Sequence, residues 1–321
     1  MTAALARRAA APVPLLVLAF AAIYLIWGST YLVIRFAIET IEPFTLVGVR
    51  FLLAGGVLYG WSLVRGEARR PSAADWRAAT LYGTLFFVVG NGGVTWSEQR
   101  VPSGIVAILV AAVPLWIALL EWARRGGQRP TPLAVTGLVL GFGGIAFLIG
   151  PGTSITGPAV DPLGAVVMAI CPLGWAYGTV HARHAPHPPS LIQTSAMQML
   201  AGGVVALVAA AFLGEWSRAR FDLVSAKSAF SLFYLVFLGS VVAFSAYAWL
   251  IRTTTPSRAG TYAYVNPIVA VLLGGALGGE AITPRVIITG SIVVLGVILI
   301  LRSMTRPAEP APEPATERKP T

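Results

Sequence analysis

Charged residues are scarce in this chain, and their scarcity excludes most soluble folds. Of 321 residues, only 11% are Asp, Glu, Lys or Arg, whereas 56% are hydrophobic. A soluble protein of this length needs more charge to cover its surface. The charges that are present are concentrated in short segments, so long uncharged runs lie between them. These properties predict an integral membrane protein.

Cysteine is nearly absent too, and so are the motifs of catalysis. The single Cys171 excludes a disulfide framework and a thiolate metal site. No P-loop, HExxH or GxSxG motif occurs, and the acidic residues lie almost entirely outside the apolar runs. His181, His184 and His187 have a spacing that resembles a metal site, but prolines between and after them predict a solvated cytoplasmic loop. We therefore predict no enzyme, no catalytic residue, no metal and no cofactor, which disfavours a membrane-embedded enzyme.

Ten apolar runs are long enough to cross about 30 Å of hydrocarbon as helices. They cover residues 15–34, 44–64, 78–97, 101–120, 133–149, 162–182, 191–213, 228–251, 259–279 and 286–301. The first run is longer than the apolar core of a typical secretion signal, and nine others follow it, so we interpret it as a retained helix. The fold class predicted is an all-α membrane protein with ten transmembrane helices.

The second half of the chain repeats the first. Four landmarks recur 153 positions later without a gap: Trp96, Pro114, Thr136-Gly137 and Gly143 correspond to Trp249, Pro267, Thr289-Gly290 and Gly296. Trp27 and Arg35 recur as Trp175 and Arg183, 148 positions later. We expect repeats at 13–150 and 161–302, flanked by disordered cytoplasmic tails at 1–12 and 303–321. Duplicated apolar halves are typical of transporters whose substrate site lies between them.

The distribution of basic residues predicts the orientation in the membrane. If the N-terminus is cytoplasmic, 16 of the 23 Lys and Arg residues lie on the cytoplasmic side. This bias follows the positive-inside rule, so both termini should be cytoplasmic. Five helices per repeat then place the two halves in opposite orientations, as an inverted repeat. The net charge of +10 is explained by this placement rather than by binding to nucleic acid.

Three segments carry a family resemblance: IWGSTYLVIRFAIETIEPFTLVGVRF (26–51), GNGGVTWSEQRVPSGIVAIL (90–109) and SRAGTYAYVNPIVAVLLGGALGGEAIT (257–283). They resemble the EamA-domain transporters of the drug/metabolite transporter superfamily, particularly the bacterial YedA-type inner-membrane members, over residues 15–302. The resemblance implies ten helices in two inverted repeats and, usually, efflux of amino acids, metabolites or drugs across the cytoplasmic membrane. The first repeat departs from the family pattern at Glu121-Trp122, whereas the second has the usual Gly279-Glu280.

Polar and aromatic residues in the middle of the apolar runs are the candidate substrate-binding residues, because lipid-facing positions there are normally aliphatic. The predicted set is Trp27, Tyr31, Asn91, Trp175, Tyr177, Tyr247, Tyr262, Tyr264 and Asn266. Aromatic walls suit a substrate with an apolar body and a charged end. Depth in the runs argues against an interfacial belt for Trp27, Trp175 and Tyr177. For the asparagines, bonds to neighbouring helices stay an open alternative.

Prolines, glycines and Arg50 admit other interpretations. Pro114 and Pro267 occupy equivalent places in the two repeats and are candidate hinges, or static kinks. Close helix packing best explains two glycine series, Gly137, Gly141 and Gly144 and Gly274, Gly275, Gly278 and Gly279. We expect Arg50 to extend to the outer interface. The alternatives are pairing with Glu39 or Glu98 and contact with a carboxylate substrate.

If transport is proton-coupled, Glu98 or His181 must carry the proton, since no acid lies deep in an apolar run.

The function predicted is secondary transport of small amphipathic metabolites, such as amino acids, by alternating access at a cavity between the repeats. A passive facilitator or channel is the alternative. The partners expected are the small-molecule substrate and the lipid bilayer, and a monomer is compatible with the sequence.

Overall fold

All regular secondary structure in the described part of the chain is helical. The structure, a computed structural model, describes residues 12–124, 130–150, 161–182, 184–254 and 256–303. The tails expected to be disordered therefore lie almost wholly outside the described residues. Ten long helical segments are present in these ranges. In chain order they are α1 (Val13–Ala37), α2 (Pro43–Val64), α3 (Ala73–Gly83, Thr84–Gly92 and Gly93–Ser97), α4 (Ser103–Val110 and Val113–Ala123), α5 (Pro132–Ile149), α6 (Pro162–Ala182), α7 (Leu191–Phe212), α8 (Ala226–Tyr234, Leu235–Val242 and Ala243–Thr253), α9 (Tyr262–Leu277) and α10 (Pro284–Ser303).

Eight of the described helices are long and apolar enough to cross a membrane. The other two are α3, which is not among those eight, and α9, which is apolar but has only 16 residues. Three short helices, Glu215–Arg218, Phe221–Leu223 and Pro256–Ala259, occupy connections between long ones. The structure therefore confirms an all-helical protein with many apolar spans.

Local sequence explains where several helices begin. The hydroxyls of Ser72, Thr131, Ser190 and Ser225 each accept a hydrogen bond from a backbone N–H in the first turn of α3, α5, α7 and α8. Such caps satisfy amide groups that would otherwise lack a partner. At Ser72 the cap is reciprocal, because Asp75 also accepts from the Ser72 backbone amide. Proline is the first residue of α2, α5, α6 and α10, where its missing N–H has no cost.

Three helices contain π-helical segments that the sequence analysis did not anticipate. They are Ala22–Ile26 in α1, Thr84–Gly92 in α3 and Leu235–Val242 in α8. The segments in α3 and α8 fall at nearly equivalent positions in the two sequence repeats. π-helical turns are rare and are often found at functional sites.

The helix pairs with the most extensive packing are α2 with α7 and α5 with α10. Glycines permit both approaches: a Cβ on Gly48 would lie 3.1 Å from the Gly203 carbonyl oxygen, and one on Gly137 would lie 2.8 Å from that of Gly296. Other strong contacts also occur in matching pairs, α3–α7 with α8–α2 and α4–α6 with α9–α1. If each helix is replaced by its equivalent in the other half, α1 by α6, α2 by α7 and so on, the first contact of each match becomes the second.

The predicted packing role holds for the glycines of the first repeat, whereas in the second repeat Gly274 and Gly275 face Glu280 and Ile282 of the connection that follows α9. A Cβ on Gly141 or Gly144 would collide with Leu115 or Val293, both on neighbouring helices. Gly279 is different, because its φ of 64° ends α9 in a left-handed turn, with open space around the missing Cβ.

Hydrogen bonds between helix termini show which of them lie together at each of the two ends of the bundle. At one side, which we call the Glu98 end, Arg285 at the start of α10 donates to the Phe147 carbonyl near the end of α5, and Ser228 in α8 donates to the Phe36 carbonyl in α1. At the other, the His187 end, Gln193 in α7 exchanges two hydrogen bonds with the Arg69 backbone, which follows α2. Odd-numbered helices end at the Glu98 end and even-numbered helices begin there.

Candidate functional site

Three of the predicted residues form one aromatic cluster. The ring of Trp27 in α1 lies 5.3 Å from that of Tyr247 in α8 and 5.0 Å from that of Tyr262 in α9, measured between centroids. Tyr247 and Tyr262 are 5.7 Å apart in an edge-to-face arrangement. These separations are typical of favourable aromatic pairs. The cluster joins one helix of the first half to two helices of the second.

The Trp27 side chain also makes a polar contact across the halves. Its indole Nε1 donates to the carbonyl oxygen of Gly239 at 3.0 Å. Gly239 lies inside the π-helical segment of α8, where the wider turn leaves carbonyl groups without their usual α-helical partners. A buried indole N–H needs such an acceptor, so this bond fixes the orientation of the Trp27 ring.

A second group lies between α3 and α6 and repeats this arrangement. The Trp175 ring packs 5.1 Å from the Phe86 ring, and a Cβ on Gly90 would lie 2.9 Å from the Trp175 ring. Gly90 belongs to the π-helical segment of α3. The tryptophan of each half therefore lies against a glycine in a π-helical segment of the other half.

Asn91 and Asn266 have different surroundings. The Asn91 amide nitrogen donates to the Phe86 carbonyl of its own π-helical segment at 3.1 Å, so this bond lies within one helix rather than between two. Asn266 is 6% exposed, and its side-chain oxygen has no hydrogen-bond partner. An amide oxygen left unpaired in the interior is available to a ligand or water.

The remaining tyrosines have other surroundings, although Tyr31 lies only one helical turn after Trp27 on α1. Tyr31 and Tyr264 are partly buried and pack against the hydrophobic core that contains Val106 and Leu115. Tyr177 is 45% exposed and stacks on His181 at 4.1 Å, and its place in the cavity stays a prediction. Both Trp175 and Tyr177 lie on α6, but two residues of a helix turn the side chain by about 200°, so they cannot face the same way.

The two candidate hinges differ in structure. α4 is interrupted at Ala111–Ala112, and Pro114 lies in the first turn of its second segment. α9 continues through Pro267 without a break in its helical assignment. Their roles in motion stay predictions.

Arg50 does not extend to the surface, which corrects the sequence-based expectation. The Arg50 side chain is 6% exposed, and its Nε donates to the Ser240 hydroxyl at 2.9 Å. Glu39, one of its expected partners, is paired with Lys227 at 2.6 Å instead. Ser240 follows Gly239 in the π-helical segment of α8, so a buried cation adjoins the contact made by Trp27.

Glu280 joins three elements at the Glu98 end. Its carboxylate accepts from Arg35 Nη1 at 3.0 Å and from the backbone amides of Ser103 and Gly104 at 2.8 and 3.1 Å. The amides belong to the first turn of α4, where a negative charge is stabilised by the helix dipole. Glu280 therefore links the α9–α10 connection to α1 and α4.

Glu98, in the connection between α3 and α4, is buried beside this link. It is 3% exposed, and neither carboxylate oxygen has a hydrogen-bond partner. Burial, and secondarily the charge of Glu280, raise the pKa of Glu98 well above its ordinary value, although Arg35 and Arg50 oppose the shift. The sequence indicated only that Glu98 lies at the edge of an apolar run, because burial depends on helices that are distant in sequence.

Comparison with known proteins assigns a family to this arrangement. A model of the EamA-like transporter family matches residues 14–150 and 162–302. The Escherichia coli (strain K12) protein named "Uncharacterized inner membrane transporter YedA" is 39% identical over 298 residues, covering 92% of this chain and 94% of that protein. Protein PecM of Dickeya dadantii is 25% identical over 289 residues, covering 86% of this chain and 91% of PecM. A solved crystal structure is similar in fold, with a TM-score of 0.61, 18% identity, and coverage of 91% of this chain and 99% of that one.

Proposed function

The chain belongs to the EamA-like transporter family, and from this premise we propose that it is a secondary transporter that moves small organic metabolites across the bacterial inner membrane by alternating access. The observation that carries the proposal is the crossed pair of tryptophans. Trp27 of the first half contacts Gly239 of the second, and Trp175 of the second half packs on Gly90 of the first. A transport site between two halves needs such residues from both.

The proposed architecture is ten membrane-spanning helices in two inverted repeats. Three findings support it: the family model matches the chain twice, the strongest helix contacts occur in pairs that exchange between the halves, and successive helices alternate in direction. Because each half contains five alternating helices, α1 and α6 run in opposite directions. We also propose that the Glu98 end faces away from the cytoplasm, since basic residues are fewer there.

This orientation predicts which side chains a membrane-impermeant thiol reagent can reach in intact cells. In a Cys171→Ala background, we expect Gln99→Cys to react from outside and His187→Cys to react only after the membrane is opened. Both positions are exposed, and Cys171 itself is buried. Reaction of His187→Cys from outside would reverse the orientation proposed for both termini.

The substrate class follows from the residues of the proposed site. Trp27, Tyr247 and Tyr262 offer aromatic faces, the unpaired oxygen of Asn266 offers an acceptor, and Arg50 is a nearby buried cation. Such a set suits an amphipathic metabolite, for example an amino acid, with an apolar body and a charged end. We propose efflux as the direction, since that is the usual activity of the family this chain resembles.

A transport assay tests the function directly. We expect cells that produce the protein to export labelled amino acids faster than cells without it, with nucleosides as the comparison class. Proteoliposomes loaded with the exported compound then separate a transporter from a passive facilitator, because only a coupled transporter accumulates substrate against its gradient. Equal export of every compound by both cell types would contradict the proposal.

A further inference from the structure

Glu98 differs from the other buried acids at its end of the bundle. Glu215 is 2% exposed and accepts three hydrogen bonds from the first turn of α2. Glu280 accepts two from the first turn of α4 and one from Arg35. Glu98 is equally buried and accepts none. Hydrogen bonds from the first turn of a helix therefore account for the burial of Glu215 and Glu280 but not for that of Glu98.

Burial without a donor favours the neutral form of a carboxyl group. An ionised carboxylate that leaves water must be paired or hydrogen-bonded, and otherwise it takes up a proton. The arrangement in the structure, in which Glu98 is buried and Arg35 is bound to Glu280, thus fits a protonated Glu98.

Glu98 interacts electrostatically with four groups from three elements. Tyr31 and Arg35 belong to α1, Arg50 to α2 and Glu280 to the α9–α10 connection. Arg35 is already bound by Glu280, and Arg50 is bound by Ser240. If Glu98 ionises, it repels Glu280 and competes with it for Arg35. The contact that joins the α9–α10 connection to α1 is then weakened from both sides.

We propose that Glu98 is a proton-binding site that controls closure of the Glu98 end of the transporter. With the proton bound, the Arg35–Glu280 contact forms and the end is closed, as in this structure. When the proton leaves to water, Glu98 becomes a carboxylate and the end opens; no other bond changes. The inference rests on the proposed alternating access, which requires this end to open and close.

The direction of the pH dependence follows from linkage. The closed state binds the proton more tightly than an open state in which Glu98 meets water at its ordinary pKa of about 4.5. The closed form is therefore favoured at low pH and is lost as pH rises through the closed-state pKa. Each unit of difference between the two pKa values changes the ratio of closed to open protein by about tenfold.

Spin labels on the two connections measure this opening without a substrate. Gln99 and Ala281 are exposed and follow Glu98 and Glu280 directly. In the full-length protein with Cys171→Ala, we expect the distance between labels at these positions to lengthen from mildly acidic to mildly alkaline buffer. In Glu98→Gln, which has the shape of the protonated acid but does not titrate, the short distance should persist at every pH.

Two further variants complete the test. Glu39→Gln removes an exposed acid of the same end and should keep the wild-type response. Arg50→Gln retains Glu98 but removes a charge that lowers its pKa in the closed state, so the ratio of closed to open protein should change by a larger factor between acidic and alkaline buffer. A distance that does not change with pH in the wild type, a response that persists in Glu98→Gln, or a change with pH that is no larger in Arg50→Gln than in the wild type would overturn the proposal. Since no substrate is needed, this outcome is independent of the transport assay.

Discussion

Trp27→Ala is expected to reduce transport to the level of cells that lack the protein, while the variant still inserts in the membrane. The substitution removes the ring that contacts Tyr247 and Tyr262 and the hydrogen bond to the Gly239 carbonyl. The aromatic cluster of the proposed substrate site then loses its one residue from the first half. The Gly239 carbonyl oxygen also loses a hydrogen-bond donor. Transport is measured with the compound found in the export assay, together with the amount of monodisperse protein.

Two variants separate a binding defect from a folding defect. Trp27→Phe keeps an aromatic ring but not the N–H, so we expect partial transport with near-normal yield. Trp122→Ala is the matched control, because Trp122 is 48% exposed at the far end of α4. Wild-type transport by Trp27→Ala, or an equal loss in Trp122→Ala, would show that the aromatic cluster is not a transport site.

Much of the fold could be predicted because hydrocarbon imposes a simple rule. Helices must be long and apolar to cross it, and runs without charge therefore predicted the positions of the helices well. The interruption of α4 at Ala111–Ala112 and the π-helical segments were not predicted. These features depend on which carbonyl group each amide finds in the packed bundle, and the hydropathy of a run carries no information about that choice.

The candidate site was predicted only in part, because the sequence shows how deep a residue lies in a helix but not what it packs against. The repeat identified Trp27 and Trp175, since a duplicated residue in mid-helix is a candidate for both walls of one site. Depth in an apolar run does not determine which way a side chain points around the helix, so Tyr177 was grouped with Trp175 although the two point in different directions on α6. Arg50 was expected near the surface, but the Ser240 hydroxyl, 190 positions away in sequence, provides a buried partner. Such long-range partners are not visible in a single sequence.

Gly296→Ala is expected to destabilise the protein, whereas Gly143→Ala, at the equivalent position of the first repeat, is expected to stabilise it slightly. A Cβ on Gly296 would lie 2.7 Å from the Gly137 carbonyl oxygen and 2.8 Å from the Gly141 nitrogen, both backbone atoms of α5. Rotation of a side chain cannot relieve these contacts, so α5 and α10 must separate, at a cost of roughly 1–3 kcal/mol for overpacking.

At Gly143 nothing lies within 4 Å of the added Cβ, and only the better helix propensity of alanine remains, worth about 0.5–1 kcal/mol. Thermal unfolding of the two variants in the same detergent should therefore shift the melting temperature in opposite directions. A shift of the same sign in both would mean that close contact between α5 and α10 does not govern stability at this interface. The opposite signs are expected because the repeats share a sequence pattern but not its surroundings: Gly296 faces α5, whereas Gly143 is exposed.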